Sequence, residues 1–488
     1  MSMIEAAGTR VSNPAVPEDD GIAFLDALAL SRAFCSRALS PVEVARCLLD
    51  RIEALDPLVN AIVYHDREKT LEMARAAERR YLSGAVLSPL DGVPITIKDL
   101  SSIAGWPRRR GSLAFDGRNR CSEDTPCVAR LREAGAVFVG KSATPDSGCK
   151  VVTRSAVHGV TLNPYDLTKT PGGSSGGAAA ALAMGFGPLA VGSDGAGSIR
   201  IPASLTNVFG LKPSFGRVPA FPPDIDMPHS VVGPMSRSVR DAAVMLAVMS
   251  RPEPRDPFAW PVPFVVPDDI AAPDLHDLTI AFSPRMGCKA PLADEEIDNL
   301  IAGAIPLLVG SGARVFAEDP IWPVDPVEPF QIFWDTVSAA TADSFAAEKR
   351  SLLDPAILRA AEAGRKVSIA AYHQAMEQRL KLTAASRAFF NRFDLLVCPV
   401  VPTGAWPAER DVPEGFADSD WRWCPYTFPW NMTGQPAVSV PIGFSKTGLP
   451  VGVQIVGKWG AEGDVLRAAA VIERKKPFRL GPPTTLTP

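Results

Sequence analysis

The stretch TPGGSSGGAAAALAMG, residues 170–185, admits four readings: a flexible linker, a phosphate cradle, a strained nucleophile turn, or part of a catalytic site. The linker reading fails on context, because the glycines run straight into an apolar, small-residue helix from Gly177 to Met184. A phosphate loop needs G-x-x-x-x-G-K-[ST], and no lysine stands where it would meet the phosphates. Gly173, Ser175 and Gly177 do satisfy the G-x-S-x-G pattern of a nucleophile elbow. An elbow follows a strand, however, and LNPYDLTKTP (162–171) is polar and broken by proline.

A second stretch, VGSDGAGSIRIPAS (191–204), places Ser198 at the end of a glycine turn that leaves an apolar strand and enters a helix-like segment. The small residues Gly195, Ala196 and Gly197 let backbone N–H groups crowd round one point, as a developing oxyanion requires. An ordinary strand-to-helix turn capped by serine fits this stretch equally well. The third piece is DGVPITIKDL (91–100), where Lys98 sits inside an apolar run of strand character. A charged lysine buried there is costly, so burial pushes it towards the neutral amine, a usable general base near pH 7. Strand alternation turns Asp99 to the opposite face, away from Lys98. Taken singly, Lys98 also reads as an edge lysine reaching water.

The chain has 488 residues, 46% hydrophobic and 21% charged, which suits a large buried core rather than disorder. A net charge of −4 and a pI near 5.9 argue against nucleic acid or an anionic membrane as the main partner. No apolar run reaches the roughly 20 residues of a membrane span. The first 21 residues read as a tail without the apolar core of a secretory signal, which points to a cytoplasmic protein. The eight cysteines form no C-x-x-C and read as thiols in a reducing compartment. The five histidines show no ligand spacing, so neither a metal nor a cofactor is expected.

Helical and strand patterns alternate throughout. SPVEVARCLLDRIEALDP (40–57) opens with a capping box, Ser40 with Glu43, and is expected to stop at Pro57. Strands are expected in NAIVYHD, DGVPITIKDL, at Val137–Val139, in GFGPLAVGSDGAGS up to its glycine turn, and in LTIAFSP, DLLVCPVV, PAVSVPIGF and LPVGVQIVG. This interleaving predicts an α/β fold with a mixed, mostly parallel central sheet covered by helices on both faces. Proline-dense segments at 251–275 and 317–330 read as surface crossings within one large domain, residues 22–488. Its motifs concentrate in 90–240, and a C-terminal sheet and helix occupy 392–475.

Six ordered blocks together resemble the amidase signature family, hydrolases with a Ser-Ser-Lys triad. They are LDGVPITIKDL, TPGGSSGGAAAA, GSDGAGSIRIPAS, GLKPSFGRVP, GPMSRSVRDAA and NMTGQPAVSVPIGFSKTGLPVGVQIVG. The resemblance implies Ser198 as nucleophile, Ser174 as bridging serine after a cis Gly173–Ser174 peptide, and Lys98 as base. It also implies an oxyanion hole from the backbone of Gly195, Ala196, Gly197 and Ser198. Asp194 and Arg200 are expected to brace the turn, and Ser175 to orient the relay or cap the helix. The family more often has Thr and Gly where this chain has Gly195 and Ala196; backbone donors survive that change. The implied activity is hydrolysis of an aryl or alkyl carboxamide through an acyl-enzyme, with carbamates as further substrates. The alternatives are an esterase using Ser175 and a noncatalytic or amidotransferase-type subunit. A small-molecule amide or carbamate is the expected partner, and a homodimer the candidate assembly. VPAFPPDIDMPHS (218–230), FQIFWDTVSAATADSF (330–345) and WRWCPYTFPW (421–430) are candidate pocket walls.

Overall fold

Alternation along PITIK decides the architecture at its centre. In the computed structural model, which describes residues 20–222, 229–287, 294–417, 421–478 and 481, this segment is strand β2 (Pro94–Lys98), flanked in sequence by β1 (Ile62–Tyr64) and β3 (Val137–Ser142). A two-stranded ribbon, β4 (Arg154–Ser155) and β5 (Gly159–Val160), stands apart. The remaining strands are β6 (Leu189–Asp194), β7 (Phe209–Lys212), β8 (Val231–Ser236), β9 (Thr279–Phe282), β10 (Arg314–Ala317), β11 (Leu395–Pro399), β12 (Ala437–Phe444) and β13 (Pro450–Gly457). Eleven of them form one sheet in the order β1-β3-β2-β6-β8-β7-β12-β13-β11-β9-β10.

The sheet is mixed, as the sequence pattern implied. Its four parallel contacts form two blocks, β3-β2-β6 and β11-β9-β10. Its other six neighbouring contacts are antiparallel, because chain segments such as β12–β13 return directly through short turns. Ile95, Ile97, Leu189, Val191, Val397 and Val453 point to one face, where they pack in the same core as residues of the Pro126–Glu133, Val239–Met249 and Glu462–Lys475 helices. On the other face Val137 and Val139 meet the Pro41–Val59 and Gly176–Ala183 helices. Burial of both faces by alternate residues is the reason these strands read as near-continuous apolar runs.

Two boundaries differ from expectation. The helix that opens at Pro41 continues through Pro57 to Val59 and closes on Asn60, whose N–H donates to the Asp56 carbonyl at 2.7 Å. A proline in the last turn removes only one backbone bond, and a left-handed Asn60 (φ 53°) ends the helix instead. The strand after Gly135 runs three residues further than Val139, to Ser142, because its parallel pairing with β2 continues to the Lys98–Ser142 partners.

Candidate active site

The parallel pairing of β2 with β6 (Ile97 opposite Val191) brings the C-terminal ends of both strands to the same edge of the sheet. Lys98 therefore ends beside the glycine turn that follows Asp194. Open α/β sheets place ligands at that edge, where strand ends and loop backbones converge. The Gly176–Ala183 helix is delivered to the same point by close backbone approach. A Cβ at Gly177 would lie 2.3 Å from the Ala143 amide nitrogen, and one at Gly173 would lie 2.6 Å from the Val152 carbonyl carbon. Only glycine fits either position, which explains the composition of the 170–185 stretch. The Gly173–Ser174 peptide is cis.

Lys98 is 1% exposed. Its Nζ lies 2.7 Å from Ser174 Oγ, 2.8 Å from Ser175 Oγ and 3.0 Å from Ser193 Oγ. Burial lowers its pKa from 10.5 to about 7, against the pull of the Asp194 charge. Asp99 does not reach it. That carboxylate instead pairs with buried Lys141 at 2.8 Å, on the far side of the strand end. Ser175 stands at the N-cap position without capping the helix; its hydroxyl donates to the Ser193 carbonyl at 3.1 Å. No strand leads into Ser175 and its side chain is enclosed, so the elbow geometry is missing at this serine.

Asp194 organises the second glycine turn. Its carboxylate accepts from the Gly197 N–H at 2.7 Å and the Ile199 N–H at 3.2 Å, and from Arg200 Nε and Nη2 at 2.9 Å each. Burial works against this carboxylate, but the Arg200 guanidinium outweighs it and holds the group below the usual carboxylate range. Arg200 also donates to Thr427 O, Gln454 Oε1 and Asn431 Oδ1 at 3.0, 2.7 and 2.6 Å. Asn431 Nδ2 donates to the Asp194 carbonyl at 2.8 Å, and Thr427 Oγ1 to the Ala196 carbonyl at 2.6 Å. A fully enclosed charge pair with this many partners holds the turn in one conformation.

One expected donor is thereby removed. The Gly197 N–H is committed to Asp194, so it does not point at a substrate oxygen. The N–H groups of Gly195, Ala196 and Ser198 make no hydrogen bond with the described residues. Of these three residues, Gly195 and Ser198 line a cavity of about 690 Å³ together with Ser174 and Ser193.

The cavity walls agree with two of the three expected segments. Val218–Pro222 and Ser230 contribute, as do Trp334, Thr341 and Phe345 from the Val327–Asp343 helix and its exit. Residues 223–228 of the first segment lie outside the described residues. The WRWCPYTFPW segment does not line the cavity: Trp421, Trp423 and Phe428 are buried in a hydrophobic cluster, while Thr427 holds the Ala196 carbonyl. Sequence reasoning missed Ser193, whose only signal was a hydroxyl in an otherwise apolar strand. It also missed Asn431 and Gln454, polar residues from the far end of the chain that nothing local connects to the turn, and it singled out the segment of Thr427 as a wall without that residue's bond to the turn.

The fold is that of the amidase signature enzymes. The model of the family Amidase matches residues 43–466, and the chain belongs to that family. It is 33% identical over 474 residues to an acylamidase of Rhodococcus erythropolis, covering 94% of this chain and 97% of that one. It is also 33% identical over 495 residues to a glutamyl-tRNA(Gln) amidotransferase subunit of Acidothermus cellulolyticus, covering 93% and 95%. The crystal structure of a bacterial aryl acylamidase of the amidase signature family superposes with a TM-score of 0.87 at 30% identity, over 94% of this chain and 98% of that one.

Proposed function

We propose that this protein hydrolyses aryl or alkyl carboxamides, and aryl carbamates at the same site, with Ser198 as nucleophile, Ser174 as proton bridge and Lys98 as base. The observation that carries this reading is the hydrogen-bond arithmetic at Lys98. A neutral amine has two N–H donors and one lone pair, and three serine hydroxyls surround it. Ser175 Oγ–H is already given to the Ser193 carbonyl, so Ser175 accepts from Lys98. If Ser193 takes the second N–H, the lone pair is left for the hydroxyl of Ser174. That is the protonation state a general base needs.

In the proposed reaction Ser198 loses its proton to Ser174 as it attacks the carbonyl carbon, and Ser174 passes its own to Lys98. The developing oxyanion is held by the unengaged N–H groups of Gly195, Ala196 and Ser198, which reward charge only as it forms. The Lys98 ammonium then returns the proton through Ser174 to the leaving nitrogen. Water repeats the relay to release the acid, or, from a carbamate, the carbonic acid half. A wall that includes Phe115, Phe221, Trp334 and Phe345 favours flat apolar groups on either side of the carbonyl.

The similarity to an amidotransferase component supports a second reading, a chain that works on amides only within a complex. One experiment separates the two. The purified chain alone is treated with a fluorophosphonate, the adduct is located by peptide mass mapping, and turnover of anilides and aryl carbamates is assayed in parallel. Labelling of Ser198 with turnover that Ser198→Ala abolishes is the expected result. Labelling at Ser175 overturns the assignment, and an unlabelled, inactive folded chain favours the reading as part of a complex.

A further inference from the structure

Two aromatic pairs, Trp459 with Trp260 and Phe215 with Phe258, are joined by a hydrogen bond beside the cavity, and the proposed reaction uses none of the outer members. Trp459 is 49% exposed and packs against Trp260 with ring centroids 4.5 Å apart. Trp260 is fixed by its indole N–H, which donates to the Phe215 carbonyl at 2.9 Å, and by the Arg217 guanidinium 3.6 Å above its ring. Phe215 stands 5.5 Å from Phe258, itself 44% exposed, and both phenylalanines line the cavity that contains Ser198. Gly434 lies between Trp459 and Phe215: a Cβ there would meet the Trp459 indole at 3.5 Å and Phe215 Cβ at 3.6 Å. Beyond Phe258 the exposed apolar surface continues over Val262 and Val265.

Phe258, Trp260, Val262 and Val265 all belong to the proline-rich segment that the sequence presents as a plain surface crossing. Proline at 252, 254, 257, 261 and 263 stiffens the segment and holds large apolar side chains at the surface, where water gives them no return. A half-exposed Trp459 stacked on the fixed Trp260, with a half-exposed Phe258 in the cavity wall, forms a surface suited to a planar ligand.

We infer that this ramp is a second binding subsite, which takes a flat aryl unit carried by the substrate beyond the bond to be cleaved. The inference rests on the hydrolase reading for the bond cleaved, and it selects a class within it: extended amides or carbamates with a second aromatic ring. The occupant is a part of the substrate because Phe215 and Phe258 line the cavity that holds Ser198, and the Trp260 indole that carries Trp459 is hydrogen-bonded to Phe215.

The test compares an acetanilide with a bis-anilide whose two rings are joined through a six-carbon diacid. In Trp459→Ala the ratio of kcat/KM for the bis-anilide to that for the acetanilide falls about 3- to 10-fold, the worth of one aromatic contact. A remote surface control, Ile369→Ala, keeps the wild-type ratio. An unchanged ratio in Trp459→Ala overturns the subsite. Binding is read separately by calorimetry, with the bis-anilide titrated into Ser198→Ala and into Ser198→Ala/Trp459→Ala. A Kd weakened by a similar factor supports the subsite even where no anilide is cleaved, which would defeat the hydrolase reading alone. Equal or absent binding overturns the subsite even where both anilides are cleaved. Sedimentation of the same variants adds one outcome: loss of an oligomer in Trp459→Ala with an unchanged ratio assigns the surface to a second copy of the chain and refutes the inference.

Discussion

The pKa of Lys98 makes the strongest demand on the proposed relay. An amine with the ordinary value of 10.5 is neutral in only about one molecule in a thousand at pH 7.5, whereas one at about 7 is neutral in about three of four. Burial of the ammonium is the cause, on the order of 5 kcal/mol at 1.36 kcal/mol per unit, and the Asp194 charge opposes it without reversing it. The expected pH profile of kcat/KM on an anilide therefore rises with a slope of one below about pH 6.5, bends near 7 and is level above 7.5. Lys98→Ala loses at least a hundredfold at every pH. The same shift has a stability consequence of known sign. A lysine whose folded pKa lies below its unfolded value destabilises the native state fully below about pH 7, and this penalty is relieved as pH rises to about 10.5. Lys98→Met is then expected to be inactive yet to melt higher than wild type at pH 6, with the difference shrinking by pH 10. A flat profile between pH 5.5 and 8, or a Lys98→Ala variant with more than about a tenth of wild-type activity, would falsify the assignment of Lys98 as base.

Two further outcomes follow from packing and burial. Gly148 sits at φ 76°, and a Cβ there would press on Ser174 Oγ and Leu100 Cδ1 at 3.3 Å each. Gly148→Ala is expected to cost about 1–2 kcal/mol in urea unfolding and at least tenfold in kcat, with wild-type kcat the refuting result. Glu473 is raised from 4.5 to about 7, by burial first and then by the Asp241 and Asp26 charges. Its favourable contribution is complete below about pH 4.5 and lost as pH rises through 7, so Glu473→Gln should melt higher than wild type at pH 8 and alike at pH 4.5; equal melting at pH 8 would sink the argument.

Some of this protein was written locally. The apolar run around Lys98 pointed to a buried lysine, although taken singly it also read as an edge lysine, and the structure buries it. The ordering of β2, β6 and the two glycine turns was legible from six motif blocks as a resemblance, which fixed the expected partners of Lys98 by position.

The tertiary structure decided what depends on direction and on distant chain. Whether the Gly197 N–H faced a substrate oxygen or Asp194 turned on the backbone path of the turn, which no pattern of residue types records. That Trp421, Trp423 and Phe428 pack into a hydrophobic cluster while Phe215, Phe221, Val231 and Phe258 line the cavity followed from the path of the chain across the sheet. Aromatic side chains look alike in sequence whether they fill a core or a wall. Thr427, Asn431 and Gln454 reach Arg200 and the 194–200 turn from more than two hundred residues away. The sequence determined which residue types the chemistry has at hand, since those depend on local pattern. The structure determined which of them meet, because hydrogen-bond direction and long-range pairing exist only once the chain has closed on itself.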